Sequence, residues 1–266
     1  MRFGKKSLFA LGLALSLGLG AFSGAIAGDN GGHGKSGHGS HWTYEGEGES
    51  GPAHWGELSA DYAVCSKGQS QSPIDISGAQ DQDVADVEFS YEASAINILN
   101  NGHTVQVNYD AGSSISVDGA DYQLLQFHFH TPSEHTVGGR SFDTEMHLVH
   151  KNDAGELAVV GVLMARGAQN EAFADIFENL PKHAGAVETL DADVNADDLL
   201  PTDRSSFRYT GSLTTPPCSE NVKWIVLKTP IELSDEQVDG LHEILDDNNR
   251  PVQPVHTRKV ISDTAR

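Results

Sequence analysis

Between Val87 and Leu163 the sequence alternates with a period of two or runs apolar in short pieces, and Gly, Asn and Asp punctuate the pieces. Val105-Gln106-Val107, Ser114-Ile115-Ser116-Val117, Tyr122–Phe129, Glu145–Val149 and Leu157–Met164 each read as a strand. A helix cannot use that pattern, because side chains two apart leave it in different directions. Val222–Leu227 is a further strand. The 28 glycines in 266 residues suit many tight turns and would weaken a helical bundle. Helix signals are few. Asn170–Leu180 reads as one short helix. Ser234-Asp235-Glu236-Gln237 is a capping box that opens another, with Val238, Leu241, Ile244 and Leu245 on its buried stripe. The predicted fold class is mainly β (α+β): a single sheet-dominated domain with small peripheral helices.

The first residues read as an address rather than as fold. Arg2, Lys5 and Lys6 precede an apolar stretch from Leu8 to Phe22, and Ala25-Ile26-Ala27 supplies an Ala-x-Ala cleavage site. The apolar run is short for a bilayer span, so residues 1–27 are expected to be a cleaved signal peptide. Residues 28–41 form a Gly- and His-rich leader that cannot bury a core. The folded domain is expected over 42–266. The chain carries a net charge of −21. That excludes nucleic acid as a partner, because phosphates need Lys and Arg to replace their counterions, and it argues against anionic membrane surfaces. Cys65 and Cys218 form an even pair, which in an exported protein suggests a bridge; two free buried thiols remain the alternative.

The chemistry concentrates in two strands. On Gln126-Phe127-His128-Phe129-His130, the residues Gln126, His128 and His130 share a face, with Phe127 and Phe129 opposite. On Glu145–His150, Glu145, His147 and Val149 share a face. If the two strands pair, three imidazoles converge. Three neutral His with an open fourth position is the pattern of catalytic zinc. Gln126 and Glu145 each precede a His by two residues, placed to accept its second ring N–H. A bare polar face is the plain alternative to a metal site. The His128-x-His130-x-x-x-Glu134 spacing also fits a cupin motif, but Tyr122 stands where that motif wants Gly.

At this point the residues become specific to a family. Trp42-Thr43-Tyr44, Gly51-Pro52-Ala53-His54-Trp55, Gln71-Ser72-Pro73-Ile74-Asp75-Ile76 and Asn100-Asn101-Gly102-His103 occur in order. They are followed by Gln126–His130, Ser133-Glu134-His135-Thr136-Val137, Glu145–His150, Gly211–Cys218, Trp224-Ile225-Val226-Leu227 and Asn249-Arg250-Pro251-Val252-Gln253-Pro254. From Trp42 to about Arg258 the chain resembles an α-class carbonic anhydrase of the exported bacterial type. The resemblance implies a large, mostly antiparallel twisted central sheet and a zinc enzyme that interconverts carbon dioxide and bicarbonate through zinc-bound hydroxide.

It also implies roles. Zn2+ would sit on His128, His130 and His147, with Gln126 and Glu145 behind them. Thr214 matches the gatekeeper whose hydroxyl donates to Glu134. His103 matches the proton shuttle, an imidazole able to take and release a proton near neutral pH. Val149, Val159, Leu213 and Trp224 match the apolar wall for carbon dioxide, with Thr215 beside them. Tyr44, Asn101 and Gln106 match the hydrophilic wall. Cys65 and Cys218 match the bridge of exported members, which would tether the Thr214–Pro217 loop. His135 and His150 match structural positions, while His54, His183, His242 and His256 read as ordinary surface or core residues. The Lys151–Gly155 connection is shorter than in animal members, and Asn249 replaces a Trp common in the family. The expected partner is the small-molecule substrate. The expected location is the periplasm or the medium, with no stable membrane span after signal cleavage and a homodimer among the assemblies open to it. A non-enzymatic periplasmic zinc scavenger on the same fold is the competing reading.

Overall fold

The computed structural model describes residues 41–46 and 48–264. The expected signal peptide and nearly all of the leader lie outside them. Among the described residues the strands are β1 (Asp75–Ile76), β2 (Gln80–Asp81), β3 (Glu88–Ser90), β4 (Ala93–Asn100), β5 (Val105–Asn108), β6 (Ser114–Val117) and β7 (Ala120–His130). They continue with β8 (Thr136–Val137), β9 (Thr144–Lys151), β10 (Leu157–Arg166), β11 (Val187–Asn195), β12 (Ser206–Ser212), β13 (Glu220–Leu233) and β14 (Ile261–Asp263). Helices are small: α1 (Trp55–Leu58), α2 (Val64–Lys67), α3 (Ala174–Glu178) and α4 (Asp235–Leu245).

Twelve strands form one sheet whose main path runs β11-β4-β5-β7-β9-β10-β13-β12-β14-β2. Most neighbours are antiparallel; β10–β13 and β14–β2 are parallel. The fold class is thus as expected from the sequence. The sheet is apolar on both faces in its middle, so it must be covered on both sides. Ile98, Val107, Phe127, Phe129, Met146, Leu148, Val160, Val162 and Ile225 face the larger core, which α3 and α4 help to close. Val159, Trp224 and Val226 face a second core with Ile74, Ile76 and Tyr209. A third small cluster packs Trp55 with Cys65 and Cys218, joined by a disulfide.

Two expected elements differ in detail. The helix read over Asn170–Leu180 is split into a 3-10 turn, Glu171–Phe173, followed by the single turn and a half of α3. The Asn170 side chain caps Ala172 N–H, which tightens the first turn, and the Asn179 side chain closes the end on Asp175 O. The strand read over Val222–Leu227 extends over all of β13. By contrast α4 starts on the capping box as read: Ser234 Oγ accepts from Gln237 N–H and Gln237 Oε1 accepts from Ser234 N–H. Its C-terminal end turns sharply through Asp246 and Asp247, both left-handed at φ 41° and 55°. Aspartate tolerates that region better than most residues. The turn delivers Asn248-Asn249-Arg250 under the edge of the site described next.

Candidate metal centre

Register places the site residues in rows across the sheet. One row runs Gln106–His128–His147–Gly161–Val226 through β5, β7, β9, β10 and β13. The next toward one end is Gln126–Val149–Val159–Trp224. The next toward the other is His130–Glu145–Leu163. Directly opposed residues on neighbouring antiparallel strands share a face, so three imidazoles and an apolar strip stand side by side.

Each imidazole is held on one nitrogen. His128 Nδ1 donates to Gln126 Oε1 at 2.8 Å, His130 Nδ1 to Asn248 O at 2.8 Å, and His147 Nε2 to Glu145 Oε1 at 2.9 Å. That leaves His128 Nε2, His130 Nε2 and His147 Nδ1. Each of these three residues can offer a ligand atom, the three lying within 4.8 Å of one another. His130 Nε2 is buried and has no hydrogen-bond partner. An orphaned buried nitrogen is costly unless something else occupies its lone pair. Burial and the adjacent imidazoles hold His128 well below the usual histidine range, and burial holds His130 below it too. Burial, the largest influence, also pushes His147 down, but the charge and hydrogen bond of Glu145 together with the charge of Glu134 outweigh it and leave His147 above the usual histidine value. A nitrogen donor set of this kind, mostly neutral and convergent, fits a divalent metal such as zinc.

A second trio, His135, Glu145 and His147, also brings ligand atoms close together. Its atoms are already spent on one another. His135 Nδ1 donates to Glu145 Oε1 at 2.7 Å, and His135 N–H donates to Glu145 Oε2 at 2.8 Å. Tyr209 O–H donates to His135 Nε2 at 2.7 Å, and Ser72 O–H donates to the Tyr209 oxygen at 2.8 Å. Burial alone would raise the Glu145 carboxyl; the two histidines hold it well below the usual carboxylate range. This chain of hydrogen bonds clamps the carboxylate that holds His147. Gly161 makes room for it: a Cβ there would lie 3.0 Å from Glu145 Oε1.

Glu134 is buried beside the trio. Its Oε2 stands 3.6 Å from His130 Nε2 and has no hydrogen-bond partner. Its Oε1 accepts from Arg250 N–H at 2.8 Å. Thr214 is buried too, but no hydrogen bond between it and Glu134 is formed in this structure. Leu213 and Val149 pack on the second core with Val159 and Trp224, and the Trp224 ring lies edge-on to His147 at 4.8 Å between centroids. Trp42, Tyr44, Asn101, His103, Gln106 and Thr215 line a cleft of about 150 Å³ together with His128 and His130. His103 and Trp42 also line a larger outer cavity of about 600 Å³. The structure thus brings Gln126, His128, His130, Glu134, Glu145 and His147 together, sets Val149, Val159, Leu213 and Trp224 in the second core beside them, and lines the cleft with Tyr44, Asn101, His103, Gln106 and Thr215, while Cys65 and Cys218 lie in the separate Trp55 cluster. Sequence reasoning passed over Asn248, Tyr209 and Gly161, and gave Ser72 and Arg250 no role. Of these, only Ser72 and Arg250 carried a signal, through the Gln71–Ile76 and Asn249–Pro254 motifs.

Fold and site together define a sheet-built protein with three buried or half-buried histidines that could hold a metal ion. The sequence profile described as "Eukaryotic-type carbonic anhydrase" matches residues 50–264. A carbonic anhydrase from Klebsiella pneumoniae is 44% identical over 225 residues, covering 84% of this chain and 91% of its own. Two solved structures agree. One is a hyperthermostable carbonic anhydrase from an active hydrothermal vent chimney, with 46% identity, a TM-score of 0.81 and coverage of 84% of this chain and 100% of its own. The other is the α-carbonic anhydrase of Thermovibrio ammonificans in complex with the inhibitor sulfanilamide, with 43% identity, a TM-score of 0.82 and coverage of 85% and 100%. The chain belongs to the eukaryotic-type, or α, carbonic anhydrase family and is a carbonic anhydrase, an enzyme of carbon dioxide and bicarbonate.

Proposed function

We propose that His128 Nε2, His130 Nε2 and His147 Nδ1 hold zinc, and that the enzyme hydrates carbon dioxide reversibly to bicarbonate and a proton with His103 as proton shuttle. One observation carries the reading: each imidazole is fixed on one nitrogen and can offer the other to a common point. Zinc bound there supplies acidified water, with a pKa of about 7, and so hydroxide at neutral pH. The chain's own residues do the rest. Gln126, Asn248 and Glu145 fix which nitrogen of each ring faces the centre. Val149, Val159, Leu213 and Trp224 offer a nonpolar wall to a nonpolar substrate. Glu134 Oε2, buried and without a partner, is the acceptor we assign to the Thr214 hydroxyl. With its proton committed there, the Thr214 oxygen can only accept from the nucleophile, which selects one orientation. Tyr44, Asn101, Gln106 and Thr215 hold solvent between this point and His103.

His103 faces both the inner cleft and the outer cavity, as a group that moves a proton between them would. Burial lowers its pKa below the usual histidine value, so it is largely neutral and ready to accept at neutral pH. The Cys65–Cys218 bridge, and a basic-then-apolar N-terminus ending in Ala25-Ile26-Ala27, support export to the periplasm or beyond. No helix among the described residues is long and apolar enough to cross a membrane. Stopped-flow carbon dioxide hydration, with a zinc count and gel filtration on the same sample, tests the reading. Hydration by the zinc-loaded protein and its loss in His147→Ala are expected. A zinc-loaded protein no faster than buffer leaves only the scavenger. A dimer on gel filtration is the assembly the resemblance favours.

A further inference from the structure

Beyond the Asn248 carbonyl that orients His130, the segment Asn248-Asn249-Arg250 enters no step above, yet it touches three parts of the site. Asn248 O holds His130, and Asn248 Nδ2 donates to His103 O at 3.0 Å and to Phe129 O at 2.9 Å. Arg250 N–H holds Glu134. Asn248 anchors one end of the segment, and the Arg250 side chain anchors the other. Its Nη1 donates to Gln71 Oε1 at 2.9 Å and to Ser72 O at 2.7 Å, and its Nη2 donates to Cys65 O at 2.9 Å. Its guanidinium lies over the Trp55 ring, 5.6 Å from the centroid. Gln71 in turn donates to Cys218 O at 3.1 Å. Arg250 therefore reaches both halves of the disulfide, one directly and one through Gln71.

Arg250 is the only Lys or Arg buried among the described residues. Burying a charge is expensive, and an apolar side chain of equal size commonly serves packing as well or better. Burial lowers its pKa to about 10, which still leaves it charged at neutral pH. A fork that meets three acceptors at once is a task for guanidinium; an ammonium is a point donor and cannot span them. The cost is explained if the residue sets geometry. Resting on the catalytic reading above, we propose that Arg250 is a positioning residue through which the disulfide-bearing segments fix the Glu134 carboxylate. The route is Cys65 and Cys218, then Gln71 and the guanidinium, then the Arg250 backbone N–H, then Glu134 Oε1. Glu134 Oε2 is thereby aimed for the Thr214 hydroxyl.

Two mutant cycles test this. Stopped-flow hydration is measured on zinc-counted wild type, Arg250→Lys, Glu134→Gln and the double variant. Arg250→Lys is expected to lower kcat/KM about tenfold alone and less than about twofold on top of Glu134→Gln, because residues acting through one another are not additive. The same fold loss in both backgrounds, or no loss in either, overturns the proposal. The second cycle needs no activity: melting of metal-free protein with and without Cys65→Ser/Cys218→Ser, in the wild-type and Arg250→Lys backgrounds. Removing the bridge is expected to lower the melting temperature much less in the Arg250→Lys background; an equal drop in both overturns the link to the disulfide. Should Arg250→Lys fail to fold, Gln71→Ala runs through both cycles with the same expectations. Failure of the function reading shows separately, as a zinc-loaded wild type without hydration activity.

Discussion

Trp42 and His103 lie face to face, with ring centroids 3.8 Å apart and planes within 10°. The indole covers one face of the imidazole and accounts for part of the burial that lowers its pKa. His103→Ala should lower turnover in weak buffer, and added imidazole should restore part of it. Trp42→Ala should let the His103 pKa rise toward the ordinary histidine value, readable by NMR titration. Turnover in weak buffer that is indifferent to His103→Ala would remove it as the shuttle.

Gln126 and Glu145 should matter most for holding metal. Loss of a group that orients a ligating histidine typically weakens affinity about 10–100-fold. Gln126→Ala should fall in that range in a chelator competition. Glu145→Ala should cost more, because it also strands the ring N–H and the backbone N–H of His135 in a buried place. Equal, small effects of both would show that the hydrogen bonds do not set the affinity.

His150 gives the protein an acid limit. It is fully buried, its Nε2 meets the Tyr91 hydroxyl at 2.8 Å, and burial lowers its pKa to about 3 against the smaller opposing pull of the Ala158 and Leu148 backbone. An unfolded histidine titrates near about 6.5. As pH falls below that value the unfolded chain binds a proton that the folded chain refuses until about pH 3. Stability is therefore lost across that window, by about 1.4 kcal/mol per pH unit for this one group. Melting of metal-free His150→Gln should depend less steeply on pH between the two values than wild type. Parallel curves would assign the acid limb to other groups.

The Cys65–Cys218 bridge closes a separation of 153 residues. Bridges of this kind contribute about 2–4 kcal/mol. The Cys65→Ser/Cys218→Ser variant should melt earlier by the corresponding amount and lose activity by a smaller factor at temperatures where it stays folded. Unchanged melting would leave the bridge without a stabilising part.

The alternation in Gln126–His130 and Glu145–His150 was enough to place three imidazoles on one face, because strand geometry turns a period of two directly into a side of the sheet. Ser234 and Gln237 were legible for a similar reason: a capping box is a local device, three residues wide. What the sequence did not disclose is long-range. Arg250 meets partners up to 185 positions away, and Asn248 meets His130 across 118. No local pattern marks either contact. Gly161 reads as one more residue in an apolar run until register sets it against His147 and Glu145. The helix expected over Asn170–Leu180 had the right composition, but Asn170 and Asn179 bond the backbone at both ends and leave α3 only five residues.

The row of opposed residues His128 and His147 has a consequence for how this gene can vary. Phe127 and Phe129 sit in the larger core, one position away from the imidazoles on the same strand. Substitutions on the strand change one face at a time. The deletion of a single residue between Gln126 and His130 would do something else: it would exchange the two faces at a stroke, turning rings meant for the core toward the cleft and imidazoles into hydrocarbon. Evolution can therefore edit the spelling of β7 but not its length, and lineages that keep the chemistry should accept insertions only beyond the turns at its two ends.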